Sequence, residues 1–215
     1  MGPLIVTKEN ARKAIFTKLN RGGGIASAHS NKRMVRRGLM TRGNSFVGFS
    51  SGQRVVVKAR VVRHKGRAFR SASLTAHLSY LKRDGVTRSG ERAEMFDAGS
   101  DRADGTAFAE RCKDDRHHFR FIVSPKDAGD MTDLRAFTRD LAKQMETDLS
   151  TRLDWVAVDH WNTDNPHVHL LVRGVDKEGA DLVISRDDIS HGLRSRAEEL
   201  VAIELGPKPE HEIRN

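Results

Sequence analysis

The segment from Asp159 to His169 constrains the fold of this chain more than any other, because it predicts a β-hairpin with a defined face. An apolar run ends at His160, and the stretch that follows is rich in Asn, Asp, Thr and Pro, which favour turns. Alternate side chains of a strand share a face, so His167 and His169 emerge side by side. The hairpin brings His160 opposite this pair.

Three imidazoles in this arrangement indicate a metal site. Neutral imidazole is a common ligand of divalent transition metals, and a three-histidine site leaves positions open for water or a substrate oxygen. An isolated His-x-His pair is more often solvated or hydrogen-bonded, and the third histidine shifts the balance toward a metal. A cupin would carry a glutamate soon after the pair, and a zinc protease a His-Glu-x-x-His helix, and the sequence has neither. We predict that His160, His167 and His169 bind one divalent ion, Mg, Mn or another.

Charge is divided unevenly along the chain. Residues 1–50 carry ten Lys or Arg and one acid, residues 51–92 carry eleven and two, and residues 93–215 carry seventeen and twenty-six. A basic half joined to an acidic half is typical of a chain that binds a polyanion with one end, most commonly nucleic acid. Membrane-surface binding fits less well, because no basic amphipathic helix with an aromatic face is present.

The compartment follows from cysteine usage and hydropathy. Cys112 is the single cysteine, so it forms no intramolecular disulfide, which agrees with a reducing environment. No window is apolar enough to span a bilayer, and the N-terminus lacks the apolar core of a signal peptide. We expect a cytoplasmic protein without membrane insertion.

Order is predicted to begin near residue 53. Residues 1–52 combine Arg, Lys, Gly and Ser with few large apolar residues, so they are predicted to be a basic, disordered arm. The patterns beyond it predict strands at 54–63, 117–124, 154–161 and 167–175, helices at 71–83, 106–111, 132–149 (capped by Thr132) and 189–205, a surface loop over 85–116 and an edge strand at 182–185. The hairpin strands are apolar on both faces and are therefore expected to be central. The fold class is α+β, with a central antiparallel sheet and helices packed on it.

Tyr80, the only tyrosine, lies near the end of the first predicted helix, beside the apolar stripe. A tyrosine at such a place is more often a packing or surface residue. Here it lies in the most basic ordered segment of a chain that also offers a metal site. A metal that polarises a phosphodiester would make attack by its phenol feasible.

These residues resemble a known family. His160 with His167-Val168-His169 is similar to the three-histidine motif of conjugative relaxases in the HUH endonuclease superfamily. The run from Tyr80 to Gly85 resembles the nucleophile motif of the mobilisation P group, which includes the T-DNA border endonuclease of plant-tumour plasmids. The resemblance implies a palm-like antiparallel sheet with the tyrosine helix near the metal, and a nuclease domain over residues 53–206. Residues 207–215 would then begin a C-terminal extension, since such relaxases usually continue further.

The resemblance also implies the activity, which is nicking of one strand at a transfer origin with the 5′ phosphate joined to Tyr80. Lys82, Arg83, Arg54, Lys58 and Arg60 are expected to contact DNA. Asn162 stands where many relatives carry aspartate, so Asp159 or Asp164 is expected to help orient a ligand. The expected partners are single-stranded and supercoiled origin DNA, accessory relaxosome proteins and a type IV coupling protein.

Two alternatives stay open at this point. A rolling-circle replication initiator or a transposase of the same superfamily would use the same groups on another DNA substrate. A non-catalytic DNA-binding protein would use the three histidines for a structural ion. Covalent capture of DNA separates the catalytic readings from the last.

Overall fold

The computed structural model describes residues 52–64 and 70–208. The predicted arm, apart from Gly52, and most of the predicted extension lie outside the described residues. Along the described chain the strands and helices are β1 Val55–Arg63, α1 Arg70–Asp84, α2 Gly105–Arg111, β2 His117–Pro125, α3 Leu134–Leu149, β3 Trp155–His160, β4 His167–Arg173 and α4 Leu193–Leu205. A 3-10 turn, Ala128–Asp130, precedes α3, and a π-helical turn, Asp188–Gly192, precedes α4.

The four strands form one antiparallel sheet in the order β1-β2-β4-β3. In the hairpin, His160 pairs with His167 and Val158 pairs with His169, as the turn residues and alternation predict. The α+β class with a central antiparallel sheet is confirmed.

The sheet separates two apolar clusters. On the rear face, Phe119 and Phe121 pack with the α3 and α4 side chains Phe137, Leu141, Ala197 and Val201. On the front face, the α1 side chains Leu74, Leu78 and Leu81 pack with Val156, Val158 and Leu171 of β3 and β4. On the same face, the side chains of β1 and β2 include exposed Lys58 and Arg60 and half-buried Arg120 and Ile122. We call these four residues the open front face.

Three features of the sheet and its surroundings differ from the sequence predictions. β3 is at the edge of the sheet rather than at its centre. On its outer side, Phe96 N–H donates to the Ala157 carbonyl at 2.9 Å, and Ala157 N–H donates to the Phe96 carbonyl at 2.8 Å. The predicted surface loop is wrong there, because Phe96 is fully buried. Residues 182–185 form no strand, and the nearest pairing is an isolated bridge between Val175 and Asp181, which flank a turn where the Asp176 carboxylate accepts from Ala180 N–H.

The helices begin one to a few residues away from their predicted starts. The N-cap of α3 is Asp133, whose carboxylate accepts from the backbone N–H groups of Arg135 and Ala136 at 2.7 and 3.2 Å, rather than Thr132. The α-helical part of the last helix starts at Leu193, after the π-helical turn. None of the described helices combines the length and apolar character needed to cross a bilayer.

Candidate functional site

The three predicted metal ligands lie together on the front face. His160 and His167 are directly opposed across the hairpin, and His169 follows two residues along β4. Their ring centroids are 4.7 to 5.3 Å apart, and one ligand nitrogen from each lies within 4.8 Å of the others. Within residues 52–64 and 70–208 this is the one group of three or more His, Cys, Asp or Glu side chains placed to hold a metal ion.

Hydrogen bonds fix which ring nitrogen of two histidines carries the proton. His167 Nδ1 lies 2.9 Å from the carbonyl oxygen of Asn165, and His160 Nε2 lies 3.0 Å from that of Leu81. A carbonyl oxygen only accepts, so each of these nitrogens donates. The lone pairs are then on His167 Nε2 and His160 Nδ1, as ligation requires.

His169 completes a donor set suited to a cation. Its Nε2 lies 3.2 Å from His167 Nε2. Burial, with smaller contributions from His160 and His167, lowers the pKa of His169 to about 3. The imidazole is therefore neutral at physiological pH. Three imidazoles, two of them oriented by backbone carbonyls, form a donor set that fits a borderline divalent ion.

Gly85 explains the close approach of α1 to this site. The Leu81 carbonyl accepts from Gly85 N–H at 3.0 Å as well as from His160 Nε2. A Cβ at Gly85 would lie 2.7 and 2.8 Å from two His160 ring atoms and 2.6 Å from Ala93 Cβ. The position therefore has no space for a side chain. From the sequence, Gly85 was expected only to end the helix.

Tyr80 lies on the same helix, one residue before Leu81. Its side chain is 51% exposed, and the Arg83 guanidinium carbon lies 5.7 Å from its ring centroid. Residues three apart on a helix are neighbours, so Tyr80 shares a side of α1 with His77. Burial, and then the charge of Arg120, lowers the pKa of His77 to about 4.

Two of the predicted DNA-binding cations lie on the face that carries the histidines. Directly paired residues of neighbouring strands share a face. Lys58 pairs with Ile122, which pairs with His169, and Arg60 pairs with Arg120. Arg54 is exposed just before β1, at the same alternation as Lys58 and Arg60.

The two predicted cations on α1 have other surroundings. Lys82 Nζ lies 2.5 Å from Glu94 Oε2, and this contact lowers the pKa of Glu94. Arg83 is exposed beside the Tyr80 ring. Lys82 is therefore partly neutralised within the chain, whereas Lys58 and Arg60 have no carboxylate within salt-bridge distance among the described residues.

The residues expected to orient a ligand do not gather around the histidines. Asp159 is buried and lies on the rear side of β3, where it accepts from Arg135 Nε at 3.0 Å and Trp161 Nε1 at 2.8 Å. Asn162 and Asp164 are exposed in the turn between β3 and β4. The orienting partners of two ligands are instead the Leu81 and Asn165 carbonyls, which sequence patterns cannot reveal.

Residues 85–202 match the family of relaxase nuclease domains described as MobA/VirD2-like, and this range is more than half of the chain. The chain belongs to this family. The three histidines lie inside the matched range, and Tyr80 lies just before it.

Similarity to individual proteins is lower. A solved structure described as "Molecular Basis of Vancomycin Resistance Transfer in Staphylococcus aureus" matches with 16% identity and a TM-score of 0.37, over 68% of this chain and 90% of that chain. No curated protein matches the sequence. Membership of the family identifies the chain as a DNA-binding endonuclease domain of conjugative transfer, a class that generally uses a divalent metal ion.

Proposed function

We propose that this chain nicks and rejoins one strand at a plasmid or mobile-element transfer origin, with Tyr80 as the nucleophile. The observation that carries the proposal is the 3.0 Å contact between His160 Nε2 and the Leu81 carbonyl, because it joins the helix of Tyr80 to the histidine site. One phosphodiester would then be contacted by the Tyr80 phenol, the three imidazoles and the cations of the front face.

The proposed reaction is a transesterification. The Tyr80 oxygen attacks phosphorus, the bond from phosphorus to the 3′ oxygen breaks, and the 5′ phosphate stays esterified to tyrosine. The phenol proton passes to water, and the departing 3′ oxygen takes a proton from water. One phosphodiester replaces another, so the 3′ hydroxyl can later attack the phosphotyrosine and rejoin the strand without ATP.

We propose His160, His167 and His169 as the ligands of the divalent ion. Bound there, the ion would polarise a non-bridging phosphate oxygen and offset the charge that develops in the transition state. The chain itself supplies the three imidazoles, and the Leu81 and Asn165 carbonyls keep two rings oriented.

We propose that Arg54, Lys58 and Arg60 follow the backbone of the exposed single strand. Phosphate contacts of this kind give affinity that falls as salt rises. On the family resemblance, we also propose accessory relaxosome proteins and a type IV coupling protein as partners, and residues 53–206 as the nuclease domain.

The test is covalent capture of DNA. Supercoiled plasmid carrying the cognate origin is incubated with the protein and a divalent ion, and the products are treated with detergent and protease. We expect nicked circles, and a nucleotide adduct on the peptide that contains Tyr80.

The matched control is Tyr80→Phe, which removes one oxygen and keeps the ring. The variant should bind a labelled origin oligonucleotide without cutting it. A Phe variant that still nicks would overturn the mechanism and favour attack by a metal-activated water. His169→Ala should also fail to nick while binding nearly as well, because affinity comes mainly from phosphate contacts.

A further inference from the structure

A chain of hydrogen bonds on the front face ends at Arg120, a residue that the reaction above does not use. Arg120 Nε lies 2.9 Å from His118 Nε2, and His118 Nδ1 lies 2.6 Å from His64 Nε2. His64 Nδ1 lies 2.9 Å from the carbonyl oxygen of Asp115. The Asp115 carboxylate is held in turn by Arg173, at 2.8 and 3.1 Å.

The donors in this chain have only one consistent order. Arginine has no acceptor, so Arg120 Nε donates and His118 Nε2 accepts. The proton of neutral His118 is then on Nδ1, which donates to His64 Nε2, and His64 Nδ1 donates to the carbonyl. His118 is 1% exposed, so the acceptor for Arg120 is part of the buried structure.

This arrangement leaves the outer edge of the guanidinium for a ligand. With Nε committed to His118, the two terminal amino groups remain, and they form a fork that matches two oxygens of a phosphate. Arg60 is directly opposite Arg120 on β1, and like charges at such positions repel. Within residues 52–64 and 70–208, no carboxylate lies within salt-bridge distance of either arginine, so a bound phosphate would supply the counter-charge that these residues lack.

The position of Arg120 defines which anion. Arg120 pairs with Leu171, and His169 is two residues from Leu171 on the same strand. Such diagonal neighbours are separated by roughly 7 to 8 Å. A group held at Arg120 therefore lies beside a group held at the histidines, on the same exposed face.

We propose that Arg120, with Arg60, binds a backbone phosphate of the single-stranded substrate next to the phosphate at the histidine site. His118 and His64 are positioning residues that hold the guanidinium edge toward the strand. The inference rests on the proposed function in taking a DNA strand as the ligand. It assigns a second phosphate position that the reaction itself does not require.

The experiment scans one neutral phosphate along the strand. The probe is a short single-stranded oligonucleotide across the mapped nick site, with a methylphosphonate at one position at a time, bound to Tyr80→Phe protein so that it stays uncut. At one position beside the nick, neutralisation should weaken binding by roughly tenfold to a hundredfold, the range for a charge-assisted pair of hydrogen bonds. That neutralised oligonucleotide should bind the Tyr80→Phe, Arg120→Gln double variant nearly as tightly as it binds Tyr80→Phe protein.

Matched variants separate a specific contact from a general loss of charge. Arg194→Gln removes one positive charge from an exposed position on α4, behind the sheet, and should leave the scan unchanged. His118→Leu should abolish the response at the one position, and His118→Gln, which keeps an acceptor, should restore part of it. Thermal melting identifies variants that fail to fold, and Arg120→Lys, which keeps charge without the fork, then replaces Arg120→Gln.

The outcomes distinguish this inference from the proposed function. If Arg120→Gln protein responds at every position as its parent does, the phosphate assignment is wrong, whether or not Tyr80 cleaves. If no nick site can be mapped, binding of oligothymidylate across a salt series replaces the scan. Arg120→Gln should then lower the log-log salt slope by about 0.7, the value for one single-strand phosphate contact, and an equal slope would overturn the inference.

Discussion

Among single residues, the candidate site depends on a glycine and a backbone carbonyl that lie against the His160 ring. Gly85 and the Leu81 carbonyl both contact His160, on the edge of the ring that carries Nε2. These contacts on its Nε2 edge would orient the His160 ring before any ion binds. Such outer contacts typically change metal affinity by about 10- to 100-fold when they are removed.

We therefore expect Gly85→Ala to lower the affinity for Mn²⁺ by about 10- to 100-fold, because its Cβ would displace the His160 ring. Isothermal titration calorimetry measures the effect. Gly129→Ala is the matched control, since a Cβ there meets nothing within 4 Å. Equal affinities in the two variants would contradict the role of Gly85.

The buried His118 predicts a pH dependence of stability. Burial, and next the charge of Arg120, lowers the pKa of His118 from 6.5 to about 3. Below pH 6.5 the unfolded chain takes up a proton that the folded chain refuses, so stability is complete above that pH and is lost as pH falls toward 3. The lowered pKa values of His77 and His169 act in the same direction.

Urea unfolding at pH 7 and pH 5 checks this expectation. His118 alone can contribute a loss of up to about 2 kcal/mol between pH 6.5 and pH 5, at about 1.4 kcal/mol per unit. His118→Gln should show a smaller decrease. A free energy of unfolding that rises on acidification would contradict the assignment.

Sequence patterns place some residues of the candidate site together and miss others, for a physical reason. His160, His167 and His169 lie in one hairpin, so local periodicity places them together. Arg120 reaches the same face through the register of β2 with β4, which no local pattern contains. The available signal was weaker: polar His118, Arg120 and Ser124 alternate with apolar side chains along β2.

At the scale of elements, strands and helices were predicted where alternation or helical spacing extends over many residues. The stretch between α1 and β2 was misjudged because its buried residues, among them Met95 and Phe96, show no sustained period. β3 was expected to be central because both of its faces are apolar. Its edge is instead covered by the pairing of Phe96 with Ala157.

The start of α3 gives a test at this scale, because two adjacent residues compete as its cap. Asp133→Ala should lower the free energy of unfolding by about 0.5 to 2 kcal/mol, since it removes the acceptor for two backbone N–H groups. Thr132→Ala should change it by less than about 0.5 kcal/mol, the usual range for surface substitutions. Chemical denaturation compares the two, and the reverse ranking would mean that the cap is Thr132.

In the whole molecule, the basic and acidic halves of the sequence supply different elements of the structure. The described acidic half supplies the histidine hairpin and most of the rear-face core, and the basic half supplies β1 and the tyrosine helix. The arm lies outside the described residues, so its role stays a prediction from charge.

Deleting residues 1–50 should lower non-specific DNA affinity and flatten its salt dependence. Each lost phosphate contact changes the log-log slope by about 0.7 to 0.9. Fluorescence anisotropy across a salt series measures the slope for the full chain and the deletion. An unchanged slope would show that the arm does not touch DNA.

The Leu81 carbonyl accepts from both Gly85 N–H and His160 Nε2, so the last turn of α1 and the proposed metal site are thermodynamically linked. Fraying of that turn removes the orienting partner of His160, so an ion that prefers the oriented ring must favour the closed turn by the same free energy. Metal occupancy and the order of the helix end that carries Tyr80 then rise and fall together. Under the proposed mechanism, a chain without its ion would present the Tyr80 phenol from a loosened helix end, which would guard against breaking DNA when the metal is absent.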